Sequence, residues 1–324
     1  MVRADVLLVS LGSTAGLRAA DAELAGALER AGARVAVVAA APQRDVRTLA
    51  LTDLVWARAA RAAAVRGLAE HRPRAVLYAT TTAALLWPRP GAIRFDAAAA
   101  GNRPGRHGIW QRPLERRRLR TAPLLVPQAR GALEEAGVAD VPAVVVPIAV
   151  EPSGPAAERD LAAVTYAADP HKKGLDRVLA AWTTARRDGE ELVVTGTDRG
   201  VPAAPGVRDA GRLPPAEFRA LLRRARVYVT APRREDYGLA QLEALADGAL
   251  LVTTPAPGPY AALPIARGLD ERLVSDDLAG ALRAALDDPL PGYADRAASA
   301  LGPYRREAVD ATVQERLLPA LLSG

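Results

Sequence analysis

The stretch VYVTAPRREDYGLAQLEALADGALLVT, residues 227–253, decides the fold. Val227–Thr230 and Leu250–Thr253 are short apolar runs suited to buried strands. Between them, Leu239–Ala246 is rich in strong helix formers, and Gly248 ends that helix before the second strand. A strand, a helix and a strand in so little chain make a βαβ unit, with parallel strands covered on both faces.

Working outward, the same alternation fills both halves of the chain. Upstream lie strand Ala163–Tyr166, helix Leu175–Arg186, strand Glu191–Thr195 and helix Pro215–Ala225. Downstream, Leu278, Leu282, Ala285 and Leu286 mark an amphipathic helix, and a long final helix is expected over 303–322, interrupted by Pro319. The first half reads as strands Val6–Leu11, Val35–Ala40, Ala75–Ala79, Ala92–Phe95, Leu124–Val126 and Ala143–Ile148. Its helices run from the turn Gly12-Ser13-Thr14-Ala15-Gly16 to about Ala31, then over Leu54–Glu70, Gln111–Thr121 and Gln128–Ala136. Glu151–Asp160 is polar, bears Pro and Gly, and reads as a linker. The expected fold class is α/β: two Rossmann-like, doubly wound parallel-sheet domains, residues 1–152 and 160–302, facing across a cleft. Ligands are expected in that cleft, at the carboxyl ends of the strands.

The chain has 324 residues, 50% of them hydrophobic and 25% charged, and a net charge of +6. That is the balance of a globular protein of about two domains. The longest apolar runs, such as Val141–Val150, are too short to span a bilayer. There is no cysteine, which excludes a disulfide framework and a thiolate nucleophile and fits a reducing, cytoplasmic setting. Aromatics are only 4% and the acids are interspersed, so no nucleic-acid partner is expected. His71, His107 and His171 are scattered and no Asp-x-Asp occurs, so no metal site is expected. The basic segment 111–121 reads as a surface helix packing Leu114 and Leu119 inward, with membrane contact at most peripheral.

Two constellations carry chemistry. Of 43 basic residues only Lys172 and Lys173 are lysines, and they sit in HKKGLD, after a strand and opening a helix. An ammonium beside a helix N-terminus is suited to phosphate, although a solvated turn has the same pattern. In the second, Glu235 and Glu243 flank Tyr237-Gly238-Leu239. A carboxylate accepts two hydroxyl hydrogen bonds, as the cis-diol of a ribose requires, so the pair would grip a nucleotide-sugar at both ends. Acidic residues around a glycine turn also serve as simple caps of a helix.

Residues 163–256 resemble the carboxyl-terminal donor domain of family 4 glycosyltransferases with the GT-B fold. The resemblance rests on Lys173-Gly174, Glu235 to Glu243, Tyr237-Gly238-Leu239, Gly248 and Leu250–Thr253, with Val193–Gly196 and Gly211–Pro214 as ligand-facing loops. It implies a retaining, metal-independent transferase moving a sugar from a nucleotide-diphosphate sugar to an acceptor hydroxyl, with no cofactor beyond that co-substrate. The acceptor would be a small molecule, a glycan or a lipid-linked sugar. Residue by residue, Lys173 would neutralise the diphosphate beside Tyr237, Gly238 and Leu239. Glu243 would hold the ribose, Glu235 the sugar hydroxyls, and Arg212-Leu213 the base. Gly12 and Ser13, in the other domain, would face the phosphate or the acceptor. Residues 303–324 would cross back to the first domain.

Two departures stand out. The family's Arg five residues before the Lys is Ala168 here, leaving Lys172 or Arg233 to replace its charge. The amino-domain His is absent, and the strand there ends Arg94-Phe95-Asp96. Asp96 takes its place as a candidate catalytic residue beside Glu235 and Lys173, with Asn102 and Arg103 as acceptor or phosphate contacts; the alternative for Asp96 is a helix cap. A catalytically degenerate binding or regulatory subunit is the alternative for the whole chain. A nicotinamide oxidoreductase is disfavoured, because Gly12–Gly16 does not fit G-x-G-x-x-G.

Overall fold

The computed structural model describes residues 3–44, 46, 48–198 and 200–323. They separate into two compact units, one ending at Ile148 and joined by the segment from Arg306 onward, the other Ala149–Arg305.

The first unit is built on a five-stranded parallel sheet in the order β2-β1-β3-β4-β5. Its strands are β1 (Val6–Ser10), β2 (Val35–Ala39), β3 (Ala75–Tyr78), β4 (Ala92–Phe95) and β5 (Leu125–Pro127). Helices α1 (Ala15–Arg30), α2 (Leu49–His71), α3 (Thr81–Ala84), α4 (Ala99–Asn102), α5 (Gln111–Thr121) and α6 (Arg130–Ala136) connect them. Leu7, Val9, Val76, Tyr78, Ile93 and Phe95 of the sheet form one core with Ala60 and Ala64 of α2 and Leu119 of α5. The small residues of α2 let it lie close to the sheet. A Cβ on Gly67 would meet Leu7 and Val38 side chains at 2.9 Å.

The second unit repeats the plan in the order β10-β9-β6-β7-β8. Its strands are β6 (Leu161–Tyr166), β7 (Leu192–Thr195), β8 (Val207–Asp209), β9 (Ala225–Thr230) and β10 (Leu250–Thr253). Its helices are α7 (Leu175–Ala185), α8 (Pro215–Arg224), α9 (Leu239–Ala246), α10 (Ala262–Leu269), α11 (Leu278–Asp287) and α12 (Tyr293–Ala300). Both units are thus doubly wound parallel sheets, the expected fold class.

Five local expectations need correction. Residues 143–148 do not form a strand: Ala143 alone bridges Leu125. The Val144 and Val146 amides donate to the Leu125 and Pro127 carbonyls at 2.9 Å, but Pro127 has no N–H to answer with, so the ladder stops. Edge strand β8 was not expected, being three residues long and polar. Helix α10 was missed because Pro264 and Gly268 blur its pattern, as was the short α12. The final segment is not one helix from Pro303. A 3-10 turn (Gly302–Tyr304) precedes α13 (Arg306–Thr312), a widened π-turn (Val313–Leu317) and α14 (Leu318–Leu322). That turn lies just before Pro319, which has no amide hydrogen to donate.

Val309, Val313, Leu317 and Leu321 of this segment are buried, and Arg30 of α1 clasps Asp310 with two hydrogen bonds of 2.7 Å. The stretch read as a linker is tied to the second unit. The Ser153 amide donates to Asp247 at 2.7 Å and the Arg224 guanidinium to Asp160 at 2.9 Å.

Candidate functional site

In the second unit, β6 is the strand from which the chain winds both ways, so the loops after β6 and β9 open at its topological switch point. They carry the two sequence constellations. The Arg233 amide donates to the Lys172 carbonyl at 2.9 Å, binding loop to loop. Only glycine fits at 174: its φ is +65°, and a Cβ there would lie 1.8 Å from the Ala231 carbonyl oxygen. Gly238 (φ +87°) likewise sits against the Tyr260 ring and leaves α9 without a side-chain cap.

This close approach pairs the lysines with acids. Lys173 Nζ lies 2.6 Å from Glu235 Oε2, which also accepts from Gln241 Nε2 at 3.0 Å. Glu235 is 4% exposed, so its carboxylate is held almost wholly inside the protein. Lys172 Nζ lies 2.5 Å from Asp236, whose other oxygen accepts from Arg234 at 2.7 Å. Burial favours the neutral acid there, but the two cations hold the Asp236 carboxyl below its ordinary range. Arg233 is committed to Asp176 through two hydrogen bonds, 2.9 and 2.7 Å, and to the His171 carbonyl at 2.8 Å. Hydrogen bonding to Arg233 pulls the Asp176 carboxyl down to about 2. Neither candidate replacement for the charge missing at Ala168 is therefore without an acid partner.

Glu243 lies just over one turn into α9, and its side chain keeps 24% of its surface open. Arg219 stands 3.5 Å away but makes its close bonds elsewhere, to Asp247 (2.6 Å) and the Glu151 carbonyl (2.7 Å). Burial, reinforced by Asp247 and opposed by Arg219, raises the Glu243 carboxyl above its ordinary value. Leu213 is half-buried on the loop after β8, while Arg212 is exposed and paired with Asp198 at 2.8 Å. That loop is anchored by the Gly211 carbonyl, which accepts from the Gly196 amide and the Thr195 hydroxyl, both at 2.8 Å.

The first unit carries a cavity of about 570 Å³ at its own switch point, between the loops after β1 and β3. Ser13, Asp96, Asn102 and Arg103 line it. Gly12 adopts φ +61° and its carbonyl accepts from Arg18 at 2.9 Å. Asp96 is exposed and accepts from the next amide, Ala97, at 2.9 Å. It does not cap α4, whose Ala99 amide donates to Glu115 at 2.6 Å instead. Arg103 spans buried Asp53 with bonds of 2.9 and 3.3 Å.

Sequence reading missed Asp53, Gln111 and Glu115, all on the cavity wall. A signal was present. Gln111, Glu115 and Leu119 recur every fourth residue, so the face that buries Leu119 turns two polar side chains inward. Leu114, expected inside, is only half-buried. Among the described residues, no group of three or more His, Cys, Asp or Glu is arranged to hold a metal ion, and no helix is long and apolar enough to cross a membrane.

Residues 159–288 match the family model of group 1 glycosyl transferases. No curated protein matches the sequence. Among solved structures, the chain is similar to sucrose-phosphate synthase from Thermosynechococcus elongatus (TM-score 0.69, 13% identity, 98% of this chain and 99% of that one). It is also similar to WaaG, a glycosyltransferase of lipopolysaccharide biosynthesis (TM-score 0.68, 14% identity, 98% and 100%). A third is HepE from Anabaena, solved with UDP and glucose (TM-score 0.69, 14% identity, 97% and 99%). At such identities the likeness is one of fold. Residues 159–288 thus match a group 1 glycosyl transferase domain, and the chain as a whole has the GT-B fold.

Proposed function

We propose that this protein moves a sugar from a nucleotide-diphosphate sugar to an acceptor hydroxyl, with retention of configuration and without a metal, in the manner of family 4. The carrying observation is the Lys173–Glu235 pair at 2.6 Å, set between the starts of α7 and α9 with Glu243 one turn further on. Lys173 and the uncapped start of α9 at Gly238 and Leu239 neutralise the diphosphate, with Tyr237 beside them and Lys172 and Arg233 adding positive charge. Once phosphate engages Lys173, Glu235 is freed to take sugar hydroxyls. Glu243 accepts the ribose hydroxyls, and Leu213 and Arg212 border the base.

Gly12 and Ser13, with Asp96, Asn102 and Arg103, serve the acceptor side in the first unit. As the bond from the anomeric carbon to the phosphate oxygen breaks, the acceptor oxygen bonds to the same face of that carbon. Its proton passes to the departing phosphate oxygen, so no side-chain base is needed. Positive charge fixed at the phosphate stabilises the leaving group. HepE, solved with UDP and glucose, supports a nucleotide-sugar donor.

The test is a panel of nucleotide-sugars incubated with the purified chain, scoring nucleoside diphosphate release and the anomeric configuration of any product. One donor is expected to be hydrolysed slowly without acceptor, with release persisting in excess EDTA. A folded chain that turns over none of them is a degenerate binding subunit, and the proposal fails.

A further inference from the structure

The cavity of the first unit has more acceptors than its own donors satisfy. Gln111 is 2% exposed and Glu115 is 3% exposed. Both line the cavity; among the described residues Gln111 Oε1 has no hydrogen-bond partner, and Glu115 Oε2 has none of good geometry, the Thr81 hydroxyl on the same wall giving that carboxyl its one side-chain interaction there. Helix α5 thus brings two nearly enclosed oxygens to the wall, each in need of a hydrogen to accept.

Charge on that wall is lopsided. Asp53, Asp96 and Glu115 contribute carboxyls, against Arg103, whose Nε and one Nη hydrogen-bond both oxygens of Asp53. A phosphate entering here would meet acids and a guanidinium already spent on one of them. Hydroxyl or ammonium hydrogens would instead satisfy the open oxygens. Half-buried Trp56, also on the wall, adds an aromatic side chain, a residue type suited to the C–H side of a sugar. The volume of about 570 Å³ falls within the range of small-ligand sites.

We propose that this cavity selects an unphosphorylated, hydroxyl-rich acceptor, a neutral or amino sugar or cyclitol, and that Gln111 and Glu115 set that preference. The inference rests on the transferase reading for calling the bound molecule an acceptor, but its recognition chemistry belongs to the cavity alone. It sets this chain apart from a neighbour of similar fold, a trehalose-phosphate synthase from Burkholderia xenovorans solved with glucose-6-phosphate.

Ligand-observed NMR on the full chain tests it, using neutral monosaccharides and cyclitols, amino sugars, and the corresponding sugar phosphates. Members of the first two groups are expected to bind at least tenfold more tightly than their phosphorylated forms. Glu115→Gln keeps an oxygen for the Ala99 amide, and Gln111→Met keeps the volume. Each variant that melts as a folded protein should weaken that binding about tenfold. Sugar phosphates binding as tightly as their parents would overturn the proposal. So would unchanged binding in a folded variant, or a folded wild-type chain that binds no member of the panel. Nucleoside diphosphate release from a nucleotide-sugar, followed in the same preparation, reads the transferase assignment separately, so failure of one is told from failure of the other.

Discussion

Lys173 has two tasks that a single substitution would confound. Its ammonium neutralises Glu235, a carboxylate 4% exposed, so Lys173→Met leaves a buried charge that keeps its Gln241 hydrogen bond but loses its cation. Breaking such a pair costs about 3–5 kcal/mol. Thermal melting should therefore show a clear loss in Lys173→Met, and the double variant Lys173→Met/Glu235→Gln should regain most of it. Nucleoside diphosphate affinity should stay low in both, because the phosphate partner is gone. Recovery of affinity along with stability would remove Lys173 from the binding site. Glu243 tests the acid side. Its carboxyl is raised by burial, so the folded protein favours the neutral form. The stability this contributes is present below the ordinary carboxylate value and is lost as pH rises through the raised one. Relative to wild type, Glu243→Gln should therefore gain melting temperature between pH 4 and pH 7.5; a difference that shrinks over that range would contradict the assignment.

At the scale of elements, the first unit is keyed by a buried triad at the end of its sheet. Ser10 of β1 donates to Asp21 of α1 at 2.5 Å, and Arg94 of β4 reaches the other oxygen of Asp21 at 3.2 Å. Both charged side chains are at most 4% exposed. Arg94→Met would strand Asp21 and should cost about 3–5 kcal/mol in chemical denaturation; a loss below 1 kcal/mol would show that water reaches the acid. Arg94 was read only as part of a strand, since nothing local announces a partner 73 residues away. The stretch 227–253 was legible because apolar runs, helix formers and Gly248 all agree there. Residues 143–148 were misread because their apolar pattern is strand-like, while the missing donor sits on the neighbouring Pro127. The polar face of α5 was hidden for another reason: a Gln and a Glu on an arginine-rich helix read as solvated until Leu119 fixes which side is inside.

At the scale of the whole molecule, the chain builds one architecture twice and then returns to the first copy through α13 and α14. Val309, Val313, Leu317 and Leu321 are buried by that return, each worth about 1.5–3 kcal/mol. Their sum approaches the whole stability of an ordinary domain, about 5–15 kcal/mol. A chain ending at Arg305 should therefore lose the cooperative melting of the first unit and become sensitive to protease there; an unchanged melt would mean the segment contributes little.

The central claim, a nucleotide-sugar held at the switch point of the second unit, is tested most directly by calorimetric titration of UDP, GDP and dTDP into wild type and Glu243→Ala. Arg219 keeps its bonds to Asp247 and Glu151 in that variant, so the fold should survive. One nucleotide should bind the wild-type chain, and its affinity should fall by about 1.5–3 kcal/mol in Glu243→Ala, the worth of hydrogen bonds to a charged group. No binding by a folded wild-type chain, or equal affinity in the two proteins, would contradict the account.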